Sequence, residues 1–151
     1  MSTDTAAQTT AATTIEANKA LVHRYYAELV TGQRIELLEE LVAADAADET
    51  RVGPGGAGTR EDFAEHLRVL WETVEGVTAT VEDLVAEGDR VIAFWRIEGK
   101  HVGHVFGVPA TGRDFVGHSI STLTIKDGRV VRYNVLPDRL GIIRQLTPAL
   151  V

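Results

Sequence analysis

Residues 77–101 read VTATVEDLVAEGDRVIAFWRIEGKH, and this stretch decides the fold. Apolar and polar residues alternate along residues 77–86 and again along residues 90–101, which is the period of a β-strand with one buried face. The intervening Glu-Gly-Asp, residues 87–89, is a hairpin turn signal. The stretch therefore predicts two long antiparallel strands joined by a tight turn.

Two more strands follow with the same alternation, at residues 115–125 and 129–136. Between them lies Lys-Asp-Gly, residues 126–128, and the geometry of this turn fixes the register of the pair. A three-residue turn with a bulge at its glycine places four residues on one face of the sheet: His118, Ile120, Arg132 and Asn134. A two-residue turn would separate His118 from Asn134; we favour the bulged turn.

Helices precede these strands, because the apolar residues there recur every three or four positions. Thr13 and Glu16 have the spacing of a capping box and begin the first helix, which Gly32 ends. The other predicted helices cover residues 34–42, residues 60–76 with Thr59 and Asp62 as their cap, and residues 137–146 at the end of the chain.

Two segments show neither the alternation of a strand nor the three-to-four-residue period of a helix. Residues 1–13, MSTDTAAQTTAAT, are small, polar and of low complexity, and we interpret them as a disordered tail. Residues 43–58 are rich in Ala, Asp and Gly and are predicted to be a loop, with at most a brief strand at residues 50–52. Residues 14–151 are then expected to form one domain.

The order of these elements predicts an α+β fold. Helices followed by a meander of long strands favour one antiparallel sheet with the helices packed on a single face. Gly99 and Gly103 allow the long strands to bend sharply, and a strongly twisted sheet curls around the helices. We therefore expect a cone-shaped α+β barrel that encloses a pocket for a small molecule.

Composition limits the possible partners. The chain has 151 residues and a formal net charge of −7, which argues against nucleic acid because phosphate binding needs a basic patch. It has no cysteine, which excludes disulfides and thiolate metal sites. We find no run of about 20 apolar residues and no secretory signal, so we expect a cytoplasmic protein without a membrane partner.

Several motifs, in the right order, resemble the SnoaL-like polyketide cyclase family of the nuclear-transport-factor-2-like superfamily. The loop GVPATG at residues 107–112 is close to the G-x-P-x-T-G loop of that family. The other matching segments are residues 18–42, 81–90, 127–131 and 140–146, together with Trp95 and the Gly-Lys-His at residues 99–101. The resemblance covers nearly the whole chain after the tail.

The resemblance implies a cyclase of secondary metabolism and antibiotic biosynthesis that needs no cofactor. In such an aldol-type reaction a general base removes a proton next to a carbonyl, and the enolate attacks a second carbonyl of the same polyketide-like molecule. The site then needs a base, a donor for the enolate oxygen and an apolar wall. The resemblance also implies a homodimer through the exposed sheet face, where Ile92 and Phe94 lie beside Arg96.

Histidines are the predicted acid/base residues. We assign that role to His118 and His101, with Asp138 as a weaker candidate base whose position fits the N-cap of the terminal helix better than catalysis. The resemblance places an acidic residue where this chain has Asn134, and an amide cannot act as a general base. The predicted substrate-binding residues are Asn134, Tyr26, Trp71, Trp95, Phe106 and His104.

Other site types remain open or are disfavoured. His101, His104 and His118 lack an ordinary ligand spacing, so we predict no metal site. An epoxide hydrolase or epoxide-opening cyclase on the same fold is an alternative, as is a small-molecule-binding domain without catalysis. His23 and His66 lie on helices and are expected to be solvated. The resemblance implies an acidic or histidine pair where this chain has Asp48 and Glu49, and for these two we favour a loop surface over the alternative, the mouth of the pocket.

Overall fold

The computed structural model describes residues 2–50 and 58–150. The helices are α1 (Ser2–Arg24), which continues as a π-helical segment (Tyr25–Thr31), a 3-10 turn (Ile35–Leu37), α2 (Leu38–Leu41), α3 (Arg60–Thr73), α4 (Arg139–Leu146) and a last 3-10 turn (Pro148–Leu150). The strands are β1 (Val42–Asp48), β2 (Val74–Glu87), β3 (Arg90–His101), β4 (Asp114–Lys126) and β5 (Arg129–Pro137). The α+β class is confirmed.

The sheet is mixed rather than wholly antiparallel. Its strand order is β1-β5-β4-β3-β2, and the meander β2 to β5 is antiparallel as predicted. β1 pairs with β5 in parallel, from Val42 opposite Val130 to Asp48 opposite Tyr133. The prediction of a loop at residues 43–58 was therefore wrong for its first part, because the alanine-rich β1 has low strand propensity and no turn links it to its partner.

The last hairpin differs from its prediction in detail but has the predicted face. Lys126 pairs with Arg129 across a two-residue turn with positive φ at Asp127 (50°) and Gly128 (74°). Val131 is the extra residue of a bulge, since Ile125 pairs with Val130 whereas Thr124 pairs with Arg132. The bulge lies beyond the turn, and it still leaves one face in common for His118, Ile120, Arg132 and Asn134.

The first helix is longer than the sequence predicted. α1 begins at Ser2, so most of the expected tail is helical and Thr13 lies inside the helix rather than at its start. The hydroxyl of Thr10 donates to the Ala6 carbonyl and that of Thr14 to the Thr10 carbonyl. These bonds reach one turn back, so the polar side chains are compatible with the helical backbone. The helix ends at Gly32 as predicted.

The third helix begins as predicted and ends earlier. Thr59 and Asp62 form the capping box of α3, while Gly76, expected at its end, lies within β2 with a φ of 67°. The predicted brief strand at residues 50–52 falls mostly outside the described residues.

The core lies between the helices and the inner face of the sheet. The inward residues of β3 are Val91, Ala93, Trp95, Ile97 and His101. Gly117 of β4 makes room for α4, because a Cβ atom there would lie 2.7 Å from Cδ1 of Ile142. The opposite face of the sheet carries exposed apolar side chains in one row, where Phe94 pairs with Ile120 and Ile120 with Leu136.

Candidate active site

A cavity of about 300 Å³ lies between the helices and the inner face of the sheet. This volume is at the lower end of the range that small-molecule sites occupy. Most of its wall is apolar, and typical wall residues are Leu67, Leu70, Val74, Ile97, Phe115 and Val135. The polar side chains that reach it are few, so each of them is a candidate for chemistry or orientation.

Asp48 and His66 form a hydrogen-bonded pair at one side of this cavity. Asp48 ends β1 and is fully buried, and its Oδ2 atom lies 2.9 Å from Nδ1 of His66 on α3. The backbone N–H of Thr50 donates to Oδ1 at 3.1 Å. In the tautomer that donates from Nδ1 of His66 to this carboxylate, Nε2 keeps its lone pair. His66 lines the cavity with 31% of its side chain exposed.

Two tyrosines come from the π-helical segment that follows α1. A π-helical turn is wider than an α-helical one, and here the neighbours Tyr25 and Tyr26 are both buried and both line the cavity. The Tyr26 ring packs on Trp95 with ring centroids 4.7 Å apart. The Tyr25 ring lies 5.8 Å from that of Tyr133 on β5. The π-helical segment thus packs the Tyr25 and Tyr26 rings against residues of the sheet.

A short chain of hydrogen bonds links Trp95, Ser121 and Tyr133. The indole N–H of Trp95 donates to Oγ of Ser121 at 2.9 Å, and the Ser121 hydroxyl donates to the Tyr133 hydroxyl at 3.4 Å. The Tyr26 hydroxyl is buried close to the hydroxyls of Ser121 and Tyr133, but it forms no hydrogen bond of normal geometry with the described residues. Such an orphaned buried group points to a ligand or water that completes it.

The phenols remain protonated over the neutral range. Burial raises the pKa of Tyr133 to about 12. Burial also raises the pKa of Tyr25 and of Tyr26 well above the ordinary value of 10. The Tyr26 hydroxyl is therefore a hydrogen-bond donor at neutral pH.

Four of the residues predicted from the sequence to bind substrate line the cavity: Tyr26, Trp95, His104 and Phe106. Phe106 has a φ of 48° and precedes Gly107 with a φ of 83°, in a tight turn that Val105 and Val108 close. A positive φ is costly for a bulky residue. The Arg139 guanidinium lies 5.3 Å from the centre of the Phe106 ring, and Arg139 also lines the cavity.

Two of the predicted site residues lie on the other side of the sheet. His118 is exposed on the outer face and pairs with Arg96, and Asn134 lies on the same face opposite Thr122. The register prediction placed them together, but on the face away from the cavity. A side chain there cannot reach a substrate held on the inner face, so neither residue fits the role that the sequence suggested.

Asp138 and Trp71, predicted as a base and a substrate-binding residue, make structural hydrogen bonds within the protein. Asp138 caps α4 by accepting from the backbone N–H of Gly141 at 2.9 Å, which is the alternative that the sequence also allowed. Trp71 donates its indole N–H to the Val30 carbonyl at 2.9 Å and does not line the cavity. It joins α3 to the π-helical segment.

His101 is the last residue of β3, and its side chain contacts the loop that follows. It shares the inner face with Trp95 and Ile97 as predicted, but it does not line the cavity. Its Nδ1 atom accepts from the Thr111 backbone N–H at 3.2 Å and lies 2.9 Å from Oγ1 of Thr111. His101 therefore closes the loop that carries His104 and Phe106, which is a positioning role.

The Asp48–His66 pair is the feature that the sequence reasoning missed. Both residues were expected to be solvated, and only His23 and Glu49 of that group are exposed. A signal existed for His66, because it lies three residues after Phe63 and four before Leu70 and so shares their helix face. The signal for Asp48 was its position after the second helix, where the resemblance implies an acidic or histidine pair, but its burial depends on the parallel pairing of β1.

The described residues contain neither a metal-ligand cluster nor a membrane-spanning helix. Within residues 2–50 and 58–150, no three His, Asp or Glu side chains lie close enough to hold a metal ion. No helix of that part of the chain is long and apolar enough to cross a membrane.

Comparison with known sequences places this geometry in a family. The model of the SnoaL-like polyketide cyclases matches residues 20–146. Aklanonic acid methyl ester cyclase DnrD of Streptomyces peucetius is 44% identical over 59 residues, which are 39% of this chain and 41% of that protein. Nogalonic acid methyl ester cyclase of Streptomyces nogalater is 37% identical over 59 residues, 39% of this chain and 44% of the relative. These matches span about two fifths of the length of the curated relatives.

Solved structures match over most of the chain. TsrD from Streptomyces laurentii superposes with a TM-score of 0.77 at 27% identity, over 87% of this chain and 95% of TsrD. IdmH from Streptomyces antibioticus superposes with a TM-score of 0.73 at 28% identity, over 85% of this chain and 97% of IdmH. The fold of this chain is therefore the fold of those proteins.

Proposed function

The chain belongs to the SnoaL-like polyketide cyclase family, and from that membership we propose that it closes a ring in a polyketide-like intermediate of secondary metabolism. The observation that carries the proposal is the cavity, which combines an apolar aromatic wall with the orphaned Tyr26 hydroxyl. An apolar wall folds a flexible substrate, and a buried donor with no hydrogen bond of its own is ready to donate to an oxygen atom of that substrate.

The Tyr26 hydroxyl is the proposed donor to the enolate oxygen. Tyr26 lines the cavity, and the raised pKa of its hydroxyl keeps the proton in place while negative charge develops on the substrate. The packing of Tyr26 on Trp95 fixes the direction of the hydroxyl. Trp95, His104 and Phe106, which also line the cavity, are proposed to contact the substrate.

The proposed reaction moves protons and forms one carbon–carbon bond, so it requires no redox cofactor. The names of the relatives suggest the substrate class, since two of them are cyclases of the methyl esters of aklanonic and nogalonic acid. We propose a substrate of that kind, a methyl ester in which an acidic carbon, here called the activated carbon, lies next to a carbonyl group.

Conversion of the two methyl esters tests the proposal. The purified protein is incubated separately with aklanonic acid methyl ester and nogalonic acid methyl ester, and products are separated by liquid chromatography with mass detection. Ring closure by aldol addition gives a product of unchanged mass and altered retention. A Tyr26→Phe variant should form it about 100-fold more slowly, as expected for loss of one oxyanion donor. If neither ester is converted or bound, the proposal fails.

Opening of an epoxide in the same cavity is the second candidate. That reaction needs an acid and a base on either side of the oxirane, and a carboxylate–histidine pair can supply them. The contact between Asp48 and His66 favours this candidate to that extent. An aromatic epoxide such as styrene oxide separates the two: hydrolysis to the diol without conversion of either ester would support epoxide opening.

We also propose that two copies associate through the outer face of the sheet, and that the protein acts in the cytoplasm. The support for association is the apolar row on that face, where Phe94, Ile120 and Leu136 are 38%, 43% and 69% exposed. Adjacent exposed apolar residues in register suit a second, identical surface. Light scattering after size exclusion should show a dimer, and Leu136→Asp should give a monomer. A monomeric wild type would contradict the proposal.

A further inference from the structure

We propose that Asp48 and His66 form the general base of this site, with His66 as the catalytic residue and Asp48 as the residue that positions it. The inference rests on the proposed function, because it names the group that removes the substrate proton. The chain needs such a group from elsewhere, since Asn134 lies outside the cavity and cannot act as a base.

The burial of Asp48 is the first argument. A fully buried carboxylate is costly unless its oxygens are hydrogen-bonded, and both oxygens here have a donor, one from Thr50 and one from His66. The Thr50 donor comes from the backbone and is fixed by the end of β1. The carboxylate is thereby held in one orientation and holds the imidazole in turn.

The orientation of His66 is the second argument. With Nδ1–H donating to Asp48, Nε2 is the ring atom that has a free lone pair and can act as the base. The ring lines the cavity and lies 6.3 Å from the ring of Tyr133, on the side where the phenols gather. The base and the proposed oxyanion donor therefore belong to one site.

Competing bases are the third argument. Within residues 2–50 and 58–150, no aspartate or glutamate lines the cavity, and the other lining imidazole is that of His104. His104 is exposed in the loop after β3, whereas His66 is half-buried and is held by a carboxylate. A general base works best when it is held within hydrogen-bond reach of the proton, which favours His66.

The proposed step conserves atoms and charge. Nε2 of His66 takes the proton from the activated carbon, and the electron pair of that C–H bond becomes the enolate. The enolate carbon bonds to the second carbonyl carbon, whose π electrons move to its oxygen. The imidazolium that His66 has become returns the proton to this alkoxide, so the product is an isomer of the substrate.

A probe for proton removal tests the base without knowledge of the natural substrate. 5-Nitrobenzisoxazole loses its ring C–H proton to a base while its N–O bond breaks, which gives a coloured cyanophenolate. We expect the wild type to accelerate this reaction and His66→Gln to lower the rate about 100-fold, as is typical for loss of a general base. Asp48→Asn should lower kcat about 10-fold with little change in KM. The matched control is His118→Gln on the outer face, which should retain the wild-type rate.

A second readout separates a catalytic from a structural role for His66. A His66→Ala variant removes the ring and leaves a space at the cavity wall, so added imidazole should restore part of its rate. Imidazole should leave the rates of the wild type and His118→Gln unchanged. Circular dichroism must show that each variant is folded, and if Asp48→Asn unfolds, His66→Gln still decides the matter.

The outcomes distinguish this inference from the proposed function. Loss of probe turnover in His66→Gln with imidazole rescue in His66→Ala supports the base, even if neither methyl ester is cyclised and the proposed function fails. Conversion of an ester at the wild-type rate by folded His66→Gln overturns the base and leaves the proposed function standing. A wild type that does not accelerate the probe, or a folded His66→Gln that does so fully, overturns the inference.

Discussion

Replacement of Tyr26 by phenylalanine should stabilise the protein while it weakens the proposed reaction. The hydroxyl of Tyr26 is buried close to those of Ser121 and Tyr133 but forms no hydrogen bond of normal geometry with the described residues, and the ring keeps its packing on Trp95 in the variant. An unsatisfied buried polar group costs about 1–3 kcal/mol. We take the lower end, about 1 kcal/mol, because water in the cavity can satisfy part of the hydroxyl.

The assay is urea unfolding followed by circular dichroism, with thermal unfolding as a second measure. A gain of about 1 kcal/mol corresponds to a rise in Tm of about 2–4 °C for a chain of this length. The slope of the unfolding free energy against urea should stay constant, since the substitution exposes no new surface.

Tyr133→Phe is the matched control. Its hydroxyl has a partner, since Ser121 donates to it at 3.4 Å, and its removal should lower the free energy of unfolding by about 0.5–1.5 kcal/mol. The two substitutions delete the same atom from neighbouring buried rings and should change stability in opposite directions. Destabilisation of both variants by similar amounts would refute the reasoning about Tyr26.

Three further predictions concern pH, packing and the cavity mouth. Burial raises the pKa of Tyr133 to about 12 and that of Tyr26 above its ordinary value. Above about pH 10 the folded state therefore keeps phenol protons that the unfolded state loses. Urea unfolding should show full stability below about pH 10 and a decline from there toward pH 12. Gly117→Ala should cost about 1–3 kcal/mol in the same assay, because its Cβ atom would lie 2.7 Å from Ile142, and an unchanged stability would contradict the packing of α4. Arg139→Gln should weaken binding of anthraquinone-2-carboxylate about threefold in titration calorimetry and leave its methyl ester unaffected, whereas equal effects on both would deny an electrostatic role at the mouth.

The strands were predictable because their signals are local. β3 has the predicted bounds, and β4 and β5 extend at most one residue beyond theirs. Alternation along each strand and a Gly-containing turn between neighbours are enough to define a meander. β1 was missed because its partner β5 lies some 90 residues further along the chain and its sequence, VAADAAD, has no β-branched residue after the first.

The candidate site was harder to predict because it depends on contacts between distant segments. Tyr26 and Trp95 were predictable, since large aromatic residues on inward faces line most internal pockets. The pair of Asp48 and His66 depends on β1 reaching α3, which no single segment specifies. His118 shows the converse, because its strand and the face that it shares with Asn134 were predicted correctly, whereas the type of turn and the face of the sheet that holds the cavity were not.

Deuterium uptake tests the central claim most directly, namely that His66 removes a substrate proton in the cavity. Nogalonic acid methyl ester is incubated in deuterated water with the wild type and with His66→Gln, and recovered substrate and product are measured by mass spectrometry. We expect the wild type to introduce deuterium at the activated carbon and to close the ring, and folded His66→Gln to do neither above the rate without enzyme. Equal deuterium uptake with both proteins would contradict the claim.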